Sequence, residues 1–434
     1  MTADPSSRRS RLGRVLLDTA PLRLDRDFRW LWAGQAISGI GNQVTRLALP
    51  YQVYHQTGST LAVAGVTLSQ LIPILVFSLG AGTIADAVDR RRLLRITQLG
   101  LMASSATLAI LAAQPSVPLP VLYLVAFVAA AFGSMDQPAR SSSIPRLVAR
   151  ERLPAAIALN QLNFQIASVL GPTIAGLLIA TIGLAGAYAV DVASFSASFV
   201  ALFRIAPLPP LTAVARPGLG AIREGLRFAR ERRVILATYV IDLDAMIFGM
   251  PQSLFPAIAL DVLHVGPAGF GILAAAPSVG ALLGALLSGW VSRVRRVGLA
   301  VIVAVAIWGA AITLFGLSTF SFALAFVFLA IAGAADVISA VFRSTIVQLV
   351  VPDQLRGRIS SINILVVTSG PRIGDIEAAA VASVVGPQLS VLSGGILCLL
   401  GLVGVVRLFP ELARHVHERP GPPDGGGAPG SSGP

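Results

Sequence analysis

The sequence has 434 residues, of which 55% are hydrophobic and 12% charged, and its mean hydropathy is +0.77. About a quarter of the residues of an ordinary soluble protein are charged, so this composition argues against a soluble enzyme and indicates a polytopic membrane protein. The net charge of +12 arises from 33 basic residues, all arginine, that cluster in short connectors between apolar blocks. Such clustering is typical of a positive-inside topology rather than of nucleic-acid binding.

Apolar blocks dominate the chain after a polar, arginine-rich leader that lacks the long apolar core of a cleavable signal peptide. Each block is long enough to cross a bilayer as a helix. The approximate bounds are 28–53, 60–85, 93–113, 119–138, 155–181, 184–204, 234–256, 267–291, 298–317, 321–342, 359–385 and 388–408. The predicted fold is therefore an all-α integral membrane protein with twelve transmembrane helices in two pseudo-symmetric six-helix halves.

Alternate connectors carry the arginines. The connectors after the second, fourth, eighth and tenth blocks are rich in arginine, as is the central loop, whereas those after the odd-numbered blocks have none. This asymmetry places both termini and the arginine loops in the cytoplasm, with the protein in the plasma (inner) membrane.

Five segments make up the predicted organisation of the chain. The central loop contains apolar residues at three- and four-residue spacing over 218–233, which predicts an amphipathic helix on the membrane surface. The segments are the cytoplasmic leader 1–27, the N-terminal six-helix half 28–204, the central cytoplasmic loop 205–233, the C-terminal six-helix half 234–409, and a disordered tail 410–434.

Three residue pairs recur at a constant interval of 203 residues, which predicts two fused halves. The pairs are Arg90 with Arg293, Arg140 with Arg343, and Asn160 with Asn363.

A short charged motif ends the second block: Gly82, Asp86, Arg90 and Arg91 follow one another in steps of four, four and one. The carboxylate can interact with the N-terminus of a neighbouring helix, and the arginines can bridge to acidic groups or lipid phosphates. Glycine permits close helix approach. These residues predict a gating latch at the inner face; the alternative is an ordinary positively charged connector.

This motif resembles the signature between helices 2 and 3 of the major facilitator superfamily, although Ala87 replaces the usual basic residue and Asp89 the usual glycine. In the second copy Gly289 stands where Asp86 would fall, so a weaker latch is expected there. A second segment, Gly171 to Gly176 with Pro172, partly resembles the glycine-proline motif of drug/proton antiporters in the superfamily. Proline frees a backbone carbonyl and kinks a helix, while small residues permit tight packing.

Longer segments are similar to the enterobactin exporter group. The resemblance implies export of a catecholate-type siderophore or a similar amphipathic compound, and it leaves a broad-specificity multidrug efflux pump as the alternative. The segments are YVIDLDAMIFGMPQSLFP, GAADVISAVFRSTIVQ, LRGRISSIN, GPRIGD and, in the first half, FGSMDQPARSSSIPRLV.

Ionisable residues within the apolar blocks are candidates for proton coupling, because an ionised side chain at mid-bilayer costs roughly 2.5 kcal/mol or more and usually faces a cavity or a partner. A carboxylate that alternates between paired and unpaired settings can bind and release a proton in each cycle; the alternative for each is a static ion pair. The candidates are Asp242, Asp244, Asp336, Asp375 and Glu377, of which Asp242 and Glu377 lead.

Two arginines, Arg46 and Arg372, also lie well inside blocks. They either attract an anionic or catecholate substrate or pair with the buried acids; Arg372 and Asp375, three residues apart, are spaced to pair. Asn42 lies near Arg46, and Phe248 lies near the middle of the seventh block, where it is expected to line the cavity.

The sequence predicts a proton-driven secondary exporter that works by alternating access. It contains no P-loop, no histidine cluster within the blocks and a single cysteine, so no cofactor, metal site or enzymatic activity is expected. A small-nutrient importer and a non-transporting receptor are the remaining alternatives. The expected partners are a small-molecule substrate, protons and the lipid bilayer but no nucleic acid, and the protein is expected to be a monomer.

Overall fold

The computed structural model describes residues 18–209, 227–318, 320–352 and 355–414, without the side chains of residues 78–87, 292, 356–358, 360–361 and 364. Within these ranges the chain is helical and contains no β-strand. Most of the leader, most of the predicted surface helix in the central loop and most of the tail lie outside the described residues.

Five long helices form the first part of the chain. They are α1 (Arg26–Thr57), α2 (Thr60–Ala87), α3 (Arg90–Ala112), α4 (Leu119–Leu147) and α5 (Leu153–Phe203). Non-helical backbone at Gly183, with φ 74° and ψ 178°, divides α5 into two arms. Glycine adopts this positive φ without a steric cost, so it allows the chain to break between the arms without a longer loop.

Six further helices follow. They are α6 (Arg233–Phe248), α7 (Gly266–Leu286), α8 (Val297–Leu317), α9 (Phe322–Val350), α10 (Arg356–Val385) and α11 (Pro387–Leu408). Short 3₁₀, α and π turns connect α6 to α7. Gly386, with φ 89°, separates α10 from α11 and lies 203 residues after Gly183, the interval at which the arginine pairs recur.

Nine segments of the described residues are long and apolar enough to cross a membrane. One of them, Arg150–Phe203, contains both arms of α5. The helices α1 and α10, with 32 and 30 residues, have sufficient length but are not among the nine, because polar residues such as Asn42, Arg46 and Arg372 make them less apolar. The structure therefore supports a polytopic membrane fold.

We call α1–α5 the first bundle and α6–α11 the second; each packs internally, and contacts of α5 with α7 and of α2 with α10 join the two. We call the end that carries the connectors around Arg90 and Arg295 the arginine end, and the end that carries Gly58 and His264 the opposite end. The main core includes residues of both bundles, and among those of the first bundle Tyr54 and Tyr188 lie near the opposite end.

At the arginine end the first bundle has a separate core, built around Phe28 and Leu94. The second bundle also has a smaller core of its own there, around Ile235 and Ile359. In a bilayer the lipid tails are as apolar as leucine, so helices associate by close packing rather than by burial from water. The bundles are thus packed together at the opposite end and have separate cores at the arginine end.

Candidate functional site

Polar contacts join the two bundles at the opposite end. The Tyr54 hydroxyl, in the last turn of α1, donates a hydrogen bond to the Asp261 carboxylate, which lies just before α7. The Thr60 hydroxyl, at the start of α2, donates to the Ala379 carbonyl of α10 at 3.2 Å. We call Tyr54 and Asp261 the outer latch, because the interaction connects the bundles where they close.

The glycine-proline motif lies at a second contact between the bundles. A Cβ atom built on Gly176 of α5 would lie 2.5 Å from the Pro267 carbonyl oxygen and 2.8 Å from the Cα of Gly271 in α7. Gly271 in turn faces the Pro172 carbonyl, and Gly171 packs against Gln43 of α1. The glycines therefore permit the backbones of α5 and α7 to cross in contact, and a larger residue at these positions would force the helices apart.

Arg343 of α9 stands between two carboxylates. Its Nη2 lies 2.7 Å from Oδ1 of Asp242 on α6 and 3.9 Å from Oδ1 of Asp336 on α9, and its Nη1 donates to Ser339 at 3.1 Å. The side chain of Asp242 is 4% exposed and that of Asp336 is 33% exposed. Two carboxylates around one guanidinium give the cluster a net charge of −1 when all three are ionised, and Asp336 is the more exposed of the two acids.

A cavity of about 520 Å³ opens beside this cluster. It is bounded by α6, α9 and α10, and it reaches the smaller core of the second bundle through Tyr239 and Ile359. Asp242 and Arg343 lie in its wall, together with polar groups such as Asn363. The cavity thus gives a charged pair within the bundle a polar surrounding near the arginine end.

The other predicted coupling residues have separate environments. Asp244, two positions after Asp242, faces α11, where the Cys398 thiol donates a hydrogen bond to it. Asp375 accepts a 2.7 Å hydrogen bond from the backbone N–H of Ser253. Glu377 is partly buried and makes no hydrogen bond or ion pair with a described residue. The structure therefore brings Asp242 and Asp336 together and leaves Asp244, Asp375 and Glu377 outside that cluster.

Arg46 and Arg372 lie on different bundles, on α1 and α10. The predicted pair between Arg372 and Asp375 is not among the ion pairs of the described residues. Spacing on one helix permitted that pair. Instead, the Asp375 carboxylate accepts a hydrogen bond from the Ser253 backbone N–H of a neighbouring segment. Arg372 donates to the Thr368 carbonyl, one turn back in its own helix.

The first bundle contains a closed ion pair at the position of Arg343. Arg140 Nε lies 2.5 Å from Oδ2 of Asp136, whose other oxygen accepts hydrogen bonds from Thr97 and Gln98 at 2.7 and 3.1 Å. Arg140 and Asp136 are four residues apart, as are Arg343 and Ser339. In the second bundle the acids around Arg343 are instead supplied by Asp242 on another helix and by Asp336, whereas the Arg140 pair lies within one helix.

Asp191 is a fully buried carboxylate with a structural environment. It accepts hydrogen bonds from Thr45 of α1 at 2.5 Å, Ser105 of α3 at 2.7 Å and Ser194 at 3.1 Å. These donors come from three helices and satisfy the carboxylate, as a buried polar group requires. Asp191 thus ties α1, α3 and the second arm of α5 together.

The latch motif lies at the junction of α2 and α3. Gly82 and Asp86 belong to the last turns of α2, but their side chains lie outside the described residues. Arg91 donates to the carbonyls of Leu202 and Phe203 at 3.1 and 2.9 Å. A cation at the C-terminus of a helix satisfies free carbonyls and interacts favourably with the helix dipole, so Arg91 anchors the end of α5.

Two residues around this junction have clear structural roles. Arg90 is buried as the first residue of α3, and its backbone N–H donates to the Leu208 carbonyl at 3.1 Å. Asp89, which replaces the usual glycine, caps α3 by accepting a 3.0 Å hydrogen bond from the Arg92 N–H. An N-cap aspartate explains how the turn forms without glycine.

A connector pair outside the spans also stabilises the arginine end. Arg152 donates two hydrogen bonds to Asp25, at 2.8 and 2.7 Å, in a bidentate arrangement that joins the segments before α1 and α5. The hydrogen bond with Asp25 raises the pKa of Arg152 above its ordinary value.

Asn42 and Phe248, both predicted to face the transport path, have less distinctive surroundings. Asn42 is partly buried on α1, one turn before Arg46. Phe248 ends α6 and packs against the main core. Sequence reasoning missed Tyr54, Asp261 and Gly271 as functional positions. Tyr54 and Asp261 are 207 residues apart and share no motif, so only the folded chain brings them together.

Comparison with characterised proteins gives full-length matches. The chain is 28% identical over 412 residues to the enterobactin exporter EntS of Citrobacter koseri, covering 94% of this chain and 98% of that protein. It is also 28% identical to the enterobactin exporter EntS of Escherichia coli K12, covering 93% of this chain and 97% of that protein.

Solved transporter structures share the fold at low sequence identity. The nucleoside transporter NupG, determined as a mutant, matches with a TM-score of 0.73 at 12% identity and covers 88% of this chain and 100% of its own. A bacterial homologue of the iron transporter ferroportin, in an inward-facing state, matches with a TM-score of 0.67 at 16% identity and covers 90% of this chain and 99% of its own.

The sequence matches the transmembrane secretion effector family over residues 18–417. With the fold and the relatives, this match makes the protein a multi-pass transporter of the inner membrane. The chain belongs to the transmembrane secretion effector family of the major facilitator superfamily.

Proposed function

We propose that the protein is a secondary active exporter that uses proton antiport and alternating access to move a siderophore-like or amphipathic small molecule out of the cell. Its twelve transmembrane helices form two six-helix halves, with both termini and the arginine connectors in the cytoplasm. The proposal counts the two arms of α5 as two spans and includes α1 and α10. The recurrence of positive-φ glycines at positions 183 and 386 supports the two-half organisation.

The observation that carries the proposal is the Arg343 cluster beside its cavity. Arg343 is shared between Asp242 and Asp336 on two helices. A proton on the more exposed Asp336 changes the cluster charge from −1 to 0. A neutral cluster costs less to enclose in the membrane than a charged one, so protonation lowers the cost of the occluded state through which the substrate-free carrier passes.

This charge change couples proton uptake and release to the change between outward-open and inward-open states. In the outward-open state Asp336 takes up a proton, and the protonated, substrate-free carrier returns to the inward-open state. Proton release to the cytoplasm restores the negative charge and holds the carrier open until substrate binds. Asp242 remains paired with Arg343 and positions it. Asp244, Asp375 and Glu377 act elsewhere in the cycle or in packing.

Closure at one end supports the alternating-access part of the proposal. The outer latch and the Gly176–Gly271 crossing join the bundles at the opposite end. The separate cores at the arginine end are the arrangement expected of an inward-open carrier. Gly82, Asp86, Arg90 and Arg91 form the latch that closes that end in the other half of the cycle.

The substrate class follows from the relatives, which are named as enterobactin exporters. A catecholate siderophore or a compound of similar amphipathic character is therefore the proposed substrate. Broad-specificity multidrug efflux is the second candidate.

Uptake into inside-out vesicles tests the proposal. Vesicles that contain the purified protein receive a gradient with an acidic interior, and accumulation of enterobactin and of ethidium is measured. Gradient-dependent accumulation of enterobactin alone supports siderophore export, and accumulation of both supports multidrug efflux. Accumulation that persists after a protonophore collapses the gradient contradicts proton antiport, and absence of any accumulation contradicts the exporter itself. Vesicles without protein are the control.

A further inference from the structure

A groove of about 490 Å³ runs between α3 and α4 of the first bundle. Its α3 wall packs mainly against α4 and α5 of the same bundle, so the groove is not part of the contact between the bundles. At its rim Leu99 of α3 is 50% exposed and Leu124 of α4 is 62% exposed. Both helices are apolar enough to cross a membrane, so side chains exposed on them at this depth face the lipid tails.

The surface of this α3–α4 groove is apolar even where it contains hydroxyl residues. The Ser104 hydroxyl donates to the Gly100 carbonyl at 2.8 Å, and the Thr107 hydroxyl donates to the Ala103 carbonyl at 2.9 Å. Both hydroxyl protons are therefore used within α3. A Cβ atom on Gly100 would lie 2.4 Å from the ring of Phe132, so glycine lets this ring form part of the wall. The groove thus presents a surface suited to hydrocarbon.

The length of the groove distinguishes a lipid chain from a partner helix. Along α3 it extends from Ile96 to Thr107, about 16 Å at a rise of about 1.5 Å per residue. The hydrocarbon core of a bilayer is about 30 Å thick, so one leaflet accounts for about 15 Å. A transmembrane partner helix crosses both leaflets, whereas an acyl chain occupies one. The groove therefore matches an acyl chain of the leaflet at the arginine end.

A free cation lies at the mouth of the groove. Arg92 is exposed and precedes Ile96 by four residues, so both lie on one face of α3. Its neighbours Arg91 and Arg95 donate to the Leu202 carbonyl at the end of α5, at 3.1 and 3.4 Å. The side chain of Arg92, in contrast, makes no hydrogen bond or ion pair with a described residue. A guanidinium at the membrane surface attracts anionic lipids and matches a phosphate with paired N–H donors.

We propose that the α3–α4 groove holds one acyl chain of an anionic phospholipid whose phosphate is bound by Arg92. The site is separate from the cavity beside Arg343, and it does not depend on the substrate or on the direction of transport. Because Arg91, the preceding residue, ties α3 to the end of α5, a lipid bound at Arg92 adds to the packing of the first bundle at the arginine end.

Photolabelling without a proton gradient or a substrate tests the site. The purified full-length protein in phosphatidylcholine nanodiscs receives a small fraction of phosphatidylglycerol, or of phosphatidylcholine, that carries a diazirine in one acyl chain. After irradiation, mass spectrometry locates the labelled residues. We expect the phosphatidylglycerol analogue to label the groove about 5-fold more strongly, because one basic residue contributes about 1 kcal/mol to the attraction of an anionic lipid. Equal labelling by the two analogues overturns the proposal.

Substitutions separate the headgroup contact from the chain contact. Arg92→Gln is expected to abolish the preference for phosphatidylglycerol and to leave labelling by the phosphatidylcholine analogue unchanged; Arg29→Gln, at an exposed arginine of α1 at the same end, retains the preference. Ala103→Phe fills the groove from an exposed position and is expected to remove most of the labelling by both analogues. Ala197→Phe is its matched control, at an exposed alanine of α5 outside the groove. A preference that persists in Arg92→Gln, or wild-type labelling in Ala103→Phe, contradicts the site.

A second copy of the chain is the competing occupant of the groove. A benzophenone attached to Leu99→Cys, in a Cys398→Ser background, reacts with whatever covers the rim. Adducts with phosphatidylglycerol support the lipid site. A crosslinked product of twice the mass of the chain shows that a second copy covers the groove and overturns it.

Discussion

Arg343 Nη2 lies 2.7 Å from Asp242 Oδ1, and this ion pair connects α9 to α6 in the wall of a cavity of about 520 Å³. At the related position in the first bundle, Arg140 finds its acid on its own helix, at Asp136. A pair within one helix keeps its geometry when helices move. A pair between two helices changes with their separation, so the Arg343 cluster can respond to the conformation of the second bundle.

Replacing Asp336 by asparagine removes the exposed member of this cluster. Asp336→Asn imitates the protonated state, so we expect gradient-driven accumulation to fall about 10-fold and its dependence on pH to disappear. Transport by vesicles is measured between pH 6 and pH 8. Asp136→Asn is the comparison, because Asp136 belongs to the static pair of the first bundle. An Asp336→Asn protein with the wild-type pH profile contradicts the coupling role.

Stability distinguishes the Asp242–Arg343 pair from an incidental contact. Arg343→Gln leaves Asp242, with a 4% exposed side chain, without a counter-charge and is expected to destabilise the protein by about 3 kcal/mol. In the double variant Asp242→Asn with Arg343→Gln the loss is smaller, because both charges are gone. Thermal unfolding in detergent measures whether the single variant Arg343→Gln loses more stability than the double variant. Additive losses in the double variant contradict a direct pair.

The outer latch is expected to hold the opposite end closed. Tyr54→Phe removes the hydroxyl that donates to Asp261 and leaves the ring in place. We expect the population with separated α1 and α7 ends to increase about 10-fold, since a hydrogen bond to a charged group contributes about 1.5 kcal/mol or more. Spin labels on Gln56→Cys and His264→Cys, in a Cys398→Ser background, measure this distance. An unchanged distance distribution contradicts the latch.

The crossing of α5 and α7 requires glycine at position 176. In Gly176→Ala the new Cβ meets the Pro267 carbonyl oxygen at 2.5 Å, so the helices must separate. We expect the same pair of spin labels to move apart and transport to fall about 10-fold. Gly133→Ala is the matched control, because nothing lies within 4 Å of a Cβ at that helical glycine. Equal transport by the two variants shows that the crossing is not required.

Asp86 tests the latch at the arginine end. We expect Asp86→Ala to insert normally and to lose most of its transport, whereas Glu151→Gln, in an exposed connector, retains it. Vesicle accumulation is compared after membrane content has been matched by immunoblot. Wild-type transport by Asp86→Ala contradicts the latch.

Residues whose roles depend on local chemistry could be predicted from the sequence. The arginine connectors and apolar blocks indicated a polytopic membrane protein, since bilayer thickness sets the length of each span. Asp136 lies four residues before Arg140 and Asp336 seven before Arg343, and residues four and seven apart share a helix face, so spacing along one helix accounts for both contacts. The same reasoning failed for Arg372 and Asp375, because Ser253 competes for the carboxylate from another segment.

The sequence by itself determined the membrane class, the family resemblance and the set of buried charges, because hydropathy, charge distribution and motifs are properties of neighbouring residues. Only the tertiary structure decided which charges meet. Asp242 with Arg343 and Tyr54 with Asp261 are pairs separated by a hundred residues or more. Their contacts depend on how whole helices pack, and in a bilayer packing is decided by close fits such as Gly176 against Gly271.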